Sequence, residues 1–191
     1  FASTIFPVAI KATSDDLAHK TDYQGLHLDI RTISEFEEKY NELRDTITKK
    51  TGNVAPKILI QEMIEGKLEF FIGANREGGT DIYEKDGLGF GHLLAIGQGG
   101  IYTEVYKDIR HILVPENRDK IDAILSKTKV SMIIDGYRGK PKLAREQLMD
   151  LIMNIQYLLV TYPEIISMDF NPVMLTENRA VVVDAKFYTK K

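Results

Sequence analysis

The sequence predicts a mixed α+β protein made of two lobes. Short stretches in which apolar and polar residues alternate, a pattern typical of β-strands, recur along the whole chain. Three further segments are predicted to be helices, and no repeat or low-complexity linker separates the elements. We expect the two lobes to join near residues 61–66.

Strands account for most of the predicted first lobe. The stretch FPVAIKATS alternates apolar and smaller or polar residues, which places Lys11 on the less apolar face of a strand. A second alternating stretch covers residues 26–30, and PKILIQEMIEG predicts a third strand. The chain must then bend at Glu65-Gly66-Lys67 before the strand KLEFFIGANRE.

Three helices are predicted. The first begins at Ser34, with Glu37 as the second half of a capping box, and ends near Lys50 before a glycine. A short helix covers residues 117–128. The third, KLAREQLMDLIMNIQYLLV, has a continuous apolar side and is the most strongly amphipathic segment of the chain.

Glycine-rich segments interrupt the predicted second lobe. GGTDIYEKDGLGF is expected to form a loop or an irregular hairpin, and the following strand should break at residues 97–100. DGYRGKP is predicted as a loop. The C-terminal residues 167–187 form two apolar strands around a polar turn, a β-hairpin.

Composition excludes several classes of protein. The chain has 191 residues, of which 43% are hydrophobic and 28% charged, so it can bury a substantial core. A formal net charge of −3 argues against nucleic-acid binding. No apolar run approaches the ~20 residues that span a bilayer, so we expect no membrane association. The chain has no cysteine, which suits a reducing compartment, and we expect a cytoplasmic protein. Because the chain starts without Met and soon enters a strand, we expect it to be part of a longer protein.

The C-terminal hairpin carries polar residues at unexpected positions. A turn centred between Glu177 and Asn178 determines which residues of the two strands face each other. The predicted pairs, all expected on one face, are Asn171 with Asp184, Asp169 with Lys186, and Val173 with Val182. Asn171 and Asp184 could therefore bind one ion, and oxygen ligands without His or Cys favour Mg²⁺. The alternative is an exposed polar face on an edge hairpin.

Several motifs occur in the order found in one protein family. They are FPVAIKATSDDLAHKTDYQG, ILIQEMIEGKLEFFIGANRE, GQGGIYTEVYKD, DGYRGKP and SMDFNPVMLTENRAVVVDAK. Together they cover nearly the whole chain and resemble the ATP-grasp portion of the ADP-forming (NDP-forming) acyl-CoA synthetases, relatives of succinyl-CoA synthetase. The resemblance implies an α+β ATP-grasp fold with the nucleotide between two lobes. These are residues 1–63, which lack the N-terminal part of the family domain, and residues 64–191, which contain the magnesium-binding hairpin.

The resemblance also implies site residues in the first lobe. Lys11 corresponds to a lysine that reaches the nucleotide phosphates, although a solvated lysine would give the same pattern. Backbone groups around Glu62 and Met63 correspond to the hinge that contacts adenine, with Gln61 alongside. Met63 could equally be a core residue. His19, in the HKTD motif, corresponds to a histidine that accepts a phosphoryl group, and an imidazole is a competent nucleophile.

In the second lobe the resemblance implies a site for metal and phosphate. Asn171 and Asp184 correspond to the magnesium ligands, and Asp169 to an acidic residue near the transferred phosphoryl group. Glu69 corresponds to an acidic residue near the nucleotide. The backbone of Gly99 and Gly100 could form an anion cradle, although glycines at such positions also mark a bulge or tight packing. ATP or ADP and Mg²⁺ are the implied cofactors.

Three functions are compatible with these motifs. The first is an ADP-forming acid–CoA ligase. Its CoA-binding subunit or domain would carry a second phosphorylated histidine and would bind CoA and a small carboxylic acid. The second is another ATP-grasp ligase, joining a carboxylate to an amine, which has no need of His19. The third is a non-catalytic nucleotide-sensing module.

Overall fold

The computed structural model describes residues 6–13, 25–77, 91–100 and 108–190. They form a mixed α+β protein, which confirms the predicted class. The chain divides into two compact units, Phe1–Met63 and Ile64–Lys191. That these units are the two lobes of the family domain stays a prediction. Within the described ranges, no helix is both long and apolar enough to cross a bilayer.

The first unit is a three-stranded antiparallel sheet with one helix. Strand β1 (Val8–Ala12) lies between β2 (Leu26–Ile30) and β3 (Ile58–Glu62). Helix α1 (Ile33–Thr51) packs against the sheet. The apolar residues of β1 are fully buried at alternate positions, so one face of the sheet forms a core with α1: Val8, Ile10, Ala12, Ile30, Phe36, Leu43 and Ile47.

Helix α1 starts two residues earlier than the sequence predicts. Thr32, not Ser34, is the N-cap residue, and its hydroxyl accepts a hydrogen bond from the Glu35 N–H over 3.2 Å. The Glu35 carboxylate in turn accepts from the Arg31 N–H over 3.0 Å. The predicted capping box of Ser34 with Glu37 is therefore wrong. Thr32 and Glu35 have the same spacing, and it is the Thr32 hydroxyl that accepts the capping hydrogen bond. Gly52 ends the helix in the left-handed conformation, as a C-cap glycine does.

The second unit is a six-stranded antiparallel sheet covered on one face by helices. Its strands are β4 (Leu68–Glu77), β5 (Gly91–Gln98), β6 (Ile109–Leu113), β7 (Ile165–Leu175), β8 (Ala180–Val182) and β9 (Ala185–Thr189). Their spatial order is β6-β5-β4-β7-β8, and β9 pairs with β7 as well. The helices are α2 (Arg118–Leu125), α3 (Lys129–Ile134) and α4 (Arg145–Thr161), with a 3₁₀ turn at Tyr137–Gly139.

One face of this sheet packs on the helices and forms the larger core. Phe70, Ile72 and Ala74 of β4 point into it together with Ile152 and Ile155 of α4. The opposite face, called here the outer face, carries the intervening residues of β4, which include Phe71, Gly73 and Asn75. Two of the sequence-predicted site residues of this unit, Glu69 and Asp169, lie on the outer face.

The sequence missed two elements of the second unit. Strand β6 carries an arginine and a histidine among its apolar residues, so its pattern is weak, and α3 is a helix of only six residues. The predicted break in β5 lies later than expected, because the strand continues through Gly97 and Gln98. The predicted loop GGTDIYEKDGLGF lies outside the described residues.

Candidate functional site

The register of the C-terminal hairpin is the predicted one. Val173 pairs with Val182, and Asp169 pairs with Lys186. At the turn, the backbone N–H of Thr176 donates to the carbonyl of Arg179 over 2.9 Å. The prediction that these residues face each other is confirmed.

Asn171 and Asp184 lie opposite each other at a gap in the strand pairing. Strand β8 ends at Val182 and β9 begins at Ala185. In the gap, the Val183 N–H donates to the Pro172 carbonyl over 3.2 Å. Because the same register holds on both sides of the gap, Asn171 faces Asp184. Residues outside a regular ladder have side chains that can turn toward a common ligand.

The prediction that all the hairpin pairs share one face is wrong. Val173 is fully buried in the core, together with Phe170. The two are three residues apart and so would lie on opposite faces of a regular strand. The register with β4 shifts by one residue between Phe170 and Val173, as a β-bulge does. Asp169 therefore lies on the outer face, whereas the Val173–Val182 pair belongs to the core.

A glycine turn joins β5 to this region. The Gly99 N–H donates to the Glu69 carbonyl over 2.9 Å, and the Gly100 N–H donates to Oδ1 of Asn171 over 3.2 Å. A Cβ on Gly99 would lie 2.7 Å from the carbonyl carbon of Phe70. A Cβ on Gly100 would collide with the Glu69 carboxylate, and Gly100 has a φ of +84°. Only glycine fits at Gly100, and the turn brings four predicted site residues together: Glu69, Gly99, Gly100 and Asn171.

Asp169 has a buried carboxylate oxygen. Within the part of the chain that the structure describes, its Oδ1 has no hydrogen-bond partner. Burial raises the pKa of the Asp169 carboxyl, and the nearby Asp184 carboxylate raises it further, while Lys186 opposes both effects. An unsatisfied buried oxygen is uncommon in folded proteins and calls for a partner. A metal ion or a donating ligand would supply one.

The donor set suits a hard cation. Asn171 and Asp184 offer one amide and one carboxylate oxygen, and Mg²⁺ typically takes one or two protein carboxylates and completes its shell with waters and phosphates. In the described ranges no three His, Cys, Asp or Glu side chains gather as an all-protein metal site would require. The site therefore fits a metal that arrives with a phosphate ligand.

In the first unit, Lys11 and Gln61 lie on one face of the three-stranded sheet. Lys11 pairs with Leu59 of β3, and Ala9 pairs with Gln61. Both side chains are half-buried, on the face opposite the α1 core. The register places the Gln61 side chain on the same face as that of Lys11. Glu62 is exposed and pairs with Val8 on the other face.

Met63 is held in place by two hydrogen bonds. Its N–H donates to the Pro7 carbonyl over 3.0 Å, and its Sδ accepts from the Asp29 N–H over 3.0 Å. The N–H of Met63 is thus engaged within the protein. Adenine contacts at the predicted hinge would fall to other backbone groups. His19 lies outside the described residues.

The sequence did not predict a cavity of about 440 Å³ on the outer face. Its lining includes Asp169 and five other polar side chains from β4, β6, β7 and β9: Asn75, Glu77, His111, Ser167 and Tyr188. The floor is made of Gly73 and Ala95, which pair with each other. These polar residues come from four strands that are distant in sequence, so no local motif marks them.

Comparison with known proteins places these features in a family. A family model described as an ATP-grasp domain matches residues 1–188. The chain is 28% identical over 94% of its length to acetate–CoA ligase (ADP-forming) I of Archaeoglobus fulgidus and spans 25% of that protein. It is 27% identical over 95% of its length to the beta subunit of acetate–CoA ligase (ADP-forming) I of Pyrococcus furiosus and spans 74% of it. The chain thus spans about a quarter of the single-chain relatives.

A solved structure of an acetyl-coenzyme A synthetase is also similar to this chain. The dinucleotide-forming acetyl-coenzyme A synthetase 1 of Candidatus Korarchaeum cryptofilum, in complex with coenzyme A and Ca-AMPCP, matches 97% of this chain. The TM-score is 0.82 at 26% identity, and 77% of that chain is covered. Another structure of that synthetase holds coenzyme A and Mg-AMPPCP, with a phosphohistidine segment pointing towards the nucleotide binding site (TM-score 0.79, 25% identity). The predicted ATP-grasp fold and the resemblance to ADP-forming acyl-CoA synthetases are confirmed. The chain belongs to the ATP-grasp domain family.

Proposed function

We propose that this chain is the nucleotide-binding part of an ADP-forming acid–CoA ligase. The overall reaction is acyl-CoA + ADP + phosphate ⇌ acid + CoA + ATP. The observation that carries the proposal is the cluster on the outer face formed by Glu69, Gly100, Asn171 and the buried carboxylate of Asp169. It combines oxygen ligands, a glycine turn and an unsatisfied acid, as a site for a metal-bound phosphate requires.

The relatives support the choice of reaction. Both ligases named above are ADP-forming acetate–CoA ligases, and the solved synthetase holds nucleotide analogues with a divalent cation. One relative is a separate beta subunit. We therefore assign the CoA site, the acid pocket and a second phosphorylated histidine to a partner subunit or domain. The cysteine-free sequence suits the cytoplasm, where the proposal places the protein.

Each site residue has a role in the proposal. Lys11 neutralises phosphate charge with its ammonium group, and Gln61, on the same sheet face, lies alongside the base. Backbone groups near Glu62 and Met63 contact the adenine edge. Glu69 lies near the nucleotide, and the turn of Gly99 and Gly100 holds the Asn171 amide. Asn171 and Asp184 would hold a Mg²⁺ ion, which would neutralise charge on the phosphates.

The phosphoryl group passes to a histidine in this proposal. The lone pair of a neutral His19 imidazole nitrogen attacks the γ-phosphorus of ATP. The P–N bond forms as the bond to the bridging oxygen breaks, and ADP leaves with the bond electrons. Asp169 acts as an acidic residue near the transferring phosphoryl group. Positioning and charge neutralisation then supply most of the rate acceleration.

Histidine phosphorylation tests this function. The chain is incubated with Mg-ATP labelled at the γ-phosphate, and the protein-bound label is tested for the acid lability of phosphohistidine. Label on the wild type that is lost in His19→Ala supports the relay, and His27→Ala serves as a matched control that should keep the label. Equal labelling of wild type and His19→Ala rejects His19 as the acceptor. Mg-ADP binding without any transfer, even with a CoA-binding partner added, would favour a nucleotide-sensing module.

A further inference from the structure

The outer face of the second unit carries several carboxylates. Glu69 and Glu77 of β4 lie on this face, and so does Asp169 of β7. The polyphosphate of a nucleotide is itself strongly anionic, so Coulomb repulsion would oppose its binding beside these side chains. A phosphate site on this face therefore needs cations, and one Mg²⁺ ion at Asn171 and Asp184 would supply only part of the positive charge.

Lys186 is the only lysine or arginine on the outer face among the strand residues that the structure describes. It lies on β9 as the direct cross-strand partner of Asp169, so both side chains are on the same side of the sheet. The other two cationic strand residues of this unit are Arg76 and Arg110. Both lie on the helix-covered face, in line with core residues, and each donates a hydrogen bond to a backbone carbonyl outside the strands.

The ammonium group of Lys186 is available to a ligand. The side chain is exposed and forms neither a hydrogen bond nor an ion pair with any residue in the described ranges. Its charge nevertheless acts on Asp169: burial, the largest influence, raises the pKa of that carboxyl, and Lys186 lowers it. A lysine on a flexible four-carbon stem thus has three N–H donors to offer beside the buried acid.

Lys186 also lies close to the predicted metal ligands. Asp184 precedes it by two residues, and Asn171 follows Asp169 by two residues on β7. Two residues of a strand span about 7 Å. The stem of Lys186 and a phosphate group can together bridge this distance. A phosphate bound to a metal ion at Asn171 and Asp184 would therefore be within reach of the ammonium group.

We propose that the ammonium group of Lys186 binds the γ-phosphate of ATP. The inference rests on the proposed function, in which the transferring phosphoryl group lies near Asp169, the cross-strand partner of Lys186. The lysine N–H groups donate to the non-bridging oxygens, over which the charge is spread during transfer. Such charge-assisted hydrogen bonds are stronger than neutral ones, and they stabilise the phosphoryl group both before and during its transfer.

An edge lysine can also serve a different purpose, the prevention of association between sheet edges. Strand β9 pairs only with β7 among the described strands, so Lys186 lies at such an edge. That role requires only a positive charge at the edge, and the exposed Lys190 directly after β9 provides one as well. Binding of a γ-phosphate, in contrast, distinguishes ATP from ADP. Lys190→Met is therefore the matched control for Lys186→Met.

Calorimetric titration with two nucleotides that differ in the γ-phosphate tests the contact. AMPPCP, an ATP analogue with a methylene bridge before its terminal phosphate, and ADP are each titrated with saturating Mg²⁺. We expect Lys186→Met to weaken AMPPCP binding about tenfold and to change ADP binding less than about twofold, because one charge-assisted contact is lost. Lys186→Arg keeps the positive charge and should recover most of the AMPPCP affinity. Lys190→Met should leave both affinities unchanged.

A loss confined to AMPPCP in Lys186→Met supports the inference. Equal losses for AMPPCP and ADP, or unchanged binding of both, overturn it. The same holds for an equal selective loss in Lys190→Met, or for a Lys186→Arg variant that binds AMPPCP no better than Lys186→Met. If the wild type binds neither nucleotide, the proposed function fails. If the wild type binds both and only the selective loss is absent, this inference alone fails.

Discussion

The backbone N–H of Gly100 donates a hydrogen bond to Oδ1 of Asn171 over 3.2 Å. An amide oxygen has two lone pairs, so Oδ1 can accept this bond and still bind a metal ion. The contact joins the end of β5 to the bulge of β7, two segments separated by 71 residues in the sequence. The position of a predicted metal ligand therefore depends on a turn that only glycine can form.

Gly100→Ala should disrupt the site by two routes. The left-handed backbone at φ +84° costs about 1 kcal/mol for a residue with a Cβ. The added methyl also collides with the Glu69 carboxylate. We expect Mg-ADP affinity, measured by calorimetry, to fall at least about tenfold. Gly139→Ala is the matched control, because Gly139 has a φ of +75° with nothing within 4 Å of the added Cβ. Equal effects of the two variants on Mg-ADP affinity would show that backbone strain alone is responsible.

Removing the two predicted metal ligands should abolish the magnesium dependence of binding. We expect the Asn171→Ala, Asp184→Ala double variant to bind ADP equally weakly with and without Mg²⁺, because no protein oxygen remains to hold the ion. Circular dichroism should show an intact fold, since neither side chain belongs to the core. Glu177→Ala removes a carboxylate from the exposed turn of the same hairpin and should change nothing. A double variant with normal magnesium dependence would rule out this pair as ligands.

Asp169→Asn should stabilise the protein at neutral pH. Burial raises the pKa of Asp169 above its ordinary value of 3.8. Between that value and the raised one, the folded state binds more protons than the unfolded state, so stability falls as pH rises through this window. The amide side chain of the variant does not ionise, so the variant does not lose stability in this pH window. We therefore expect the free energy of unfolding of the variant to exceed that of wild type at pH 7, with the gain disappearing below about pH 4. Urea unfolding at several pH values measures this difference, and a gain independent of pH would contradict the assignment to ionisation.

Lys11→Ala should weaken the binding of ATP much more than that of adenosine. A lysine that contacts phosphates contributes nothing to a ligand that lacks them. We expect a loss of about tenfold or more for ATP and no change for adenosine. Lys57→Ala, an exposed change at the edge of the same sheet, is the control. Equal losses for both ligands would show that Lys11 does not contact the phosphates.

Elements with strong periodicity were predictable from sequence. The alternation in β1 correctly placed Lys11 opposite the core, and the long apolar side of α4 marked the helix that covers the sheet. The hairpin register followed from one turn. The face on which the side chains beyond Asn171 lie could not be predicted. An extra residue at the bulge moves these side chains to the other face of the sheet but leaves the pairing of β7 with β8 and β9 unchanged.

The cavity illustrates what sequence patterns do not contain. Asn75 and Ser167 each look like the polar half of an ordinary alternating strand. They line one cavity only because β4 and β7 are neighbours and pair these two residues directly. The small residues Gly73 and Ala95 likewise meet only because β4 pairs with β5. Such cavities depend on which strands are adjacent, which local patterns do not specify.

Calorimetric titration of the chain with ADP, with and without Mg²⁺, tests the nucleotide site most directly. The cluster of Glu69, Gly100, Asp169 and Asn171, together with Asp184 opposite Asn171, predicts binding in the micromolar range that requires the cation. Absence of binding, or binding of equal strength without Mg²⁺, would contradict the assignment of this cluster as a metal-dependent phosphate site.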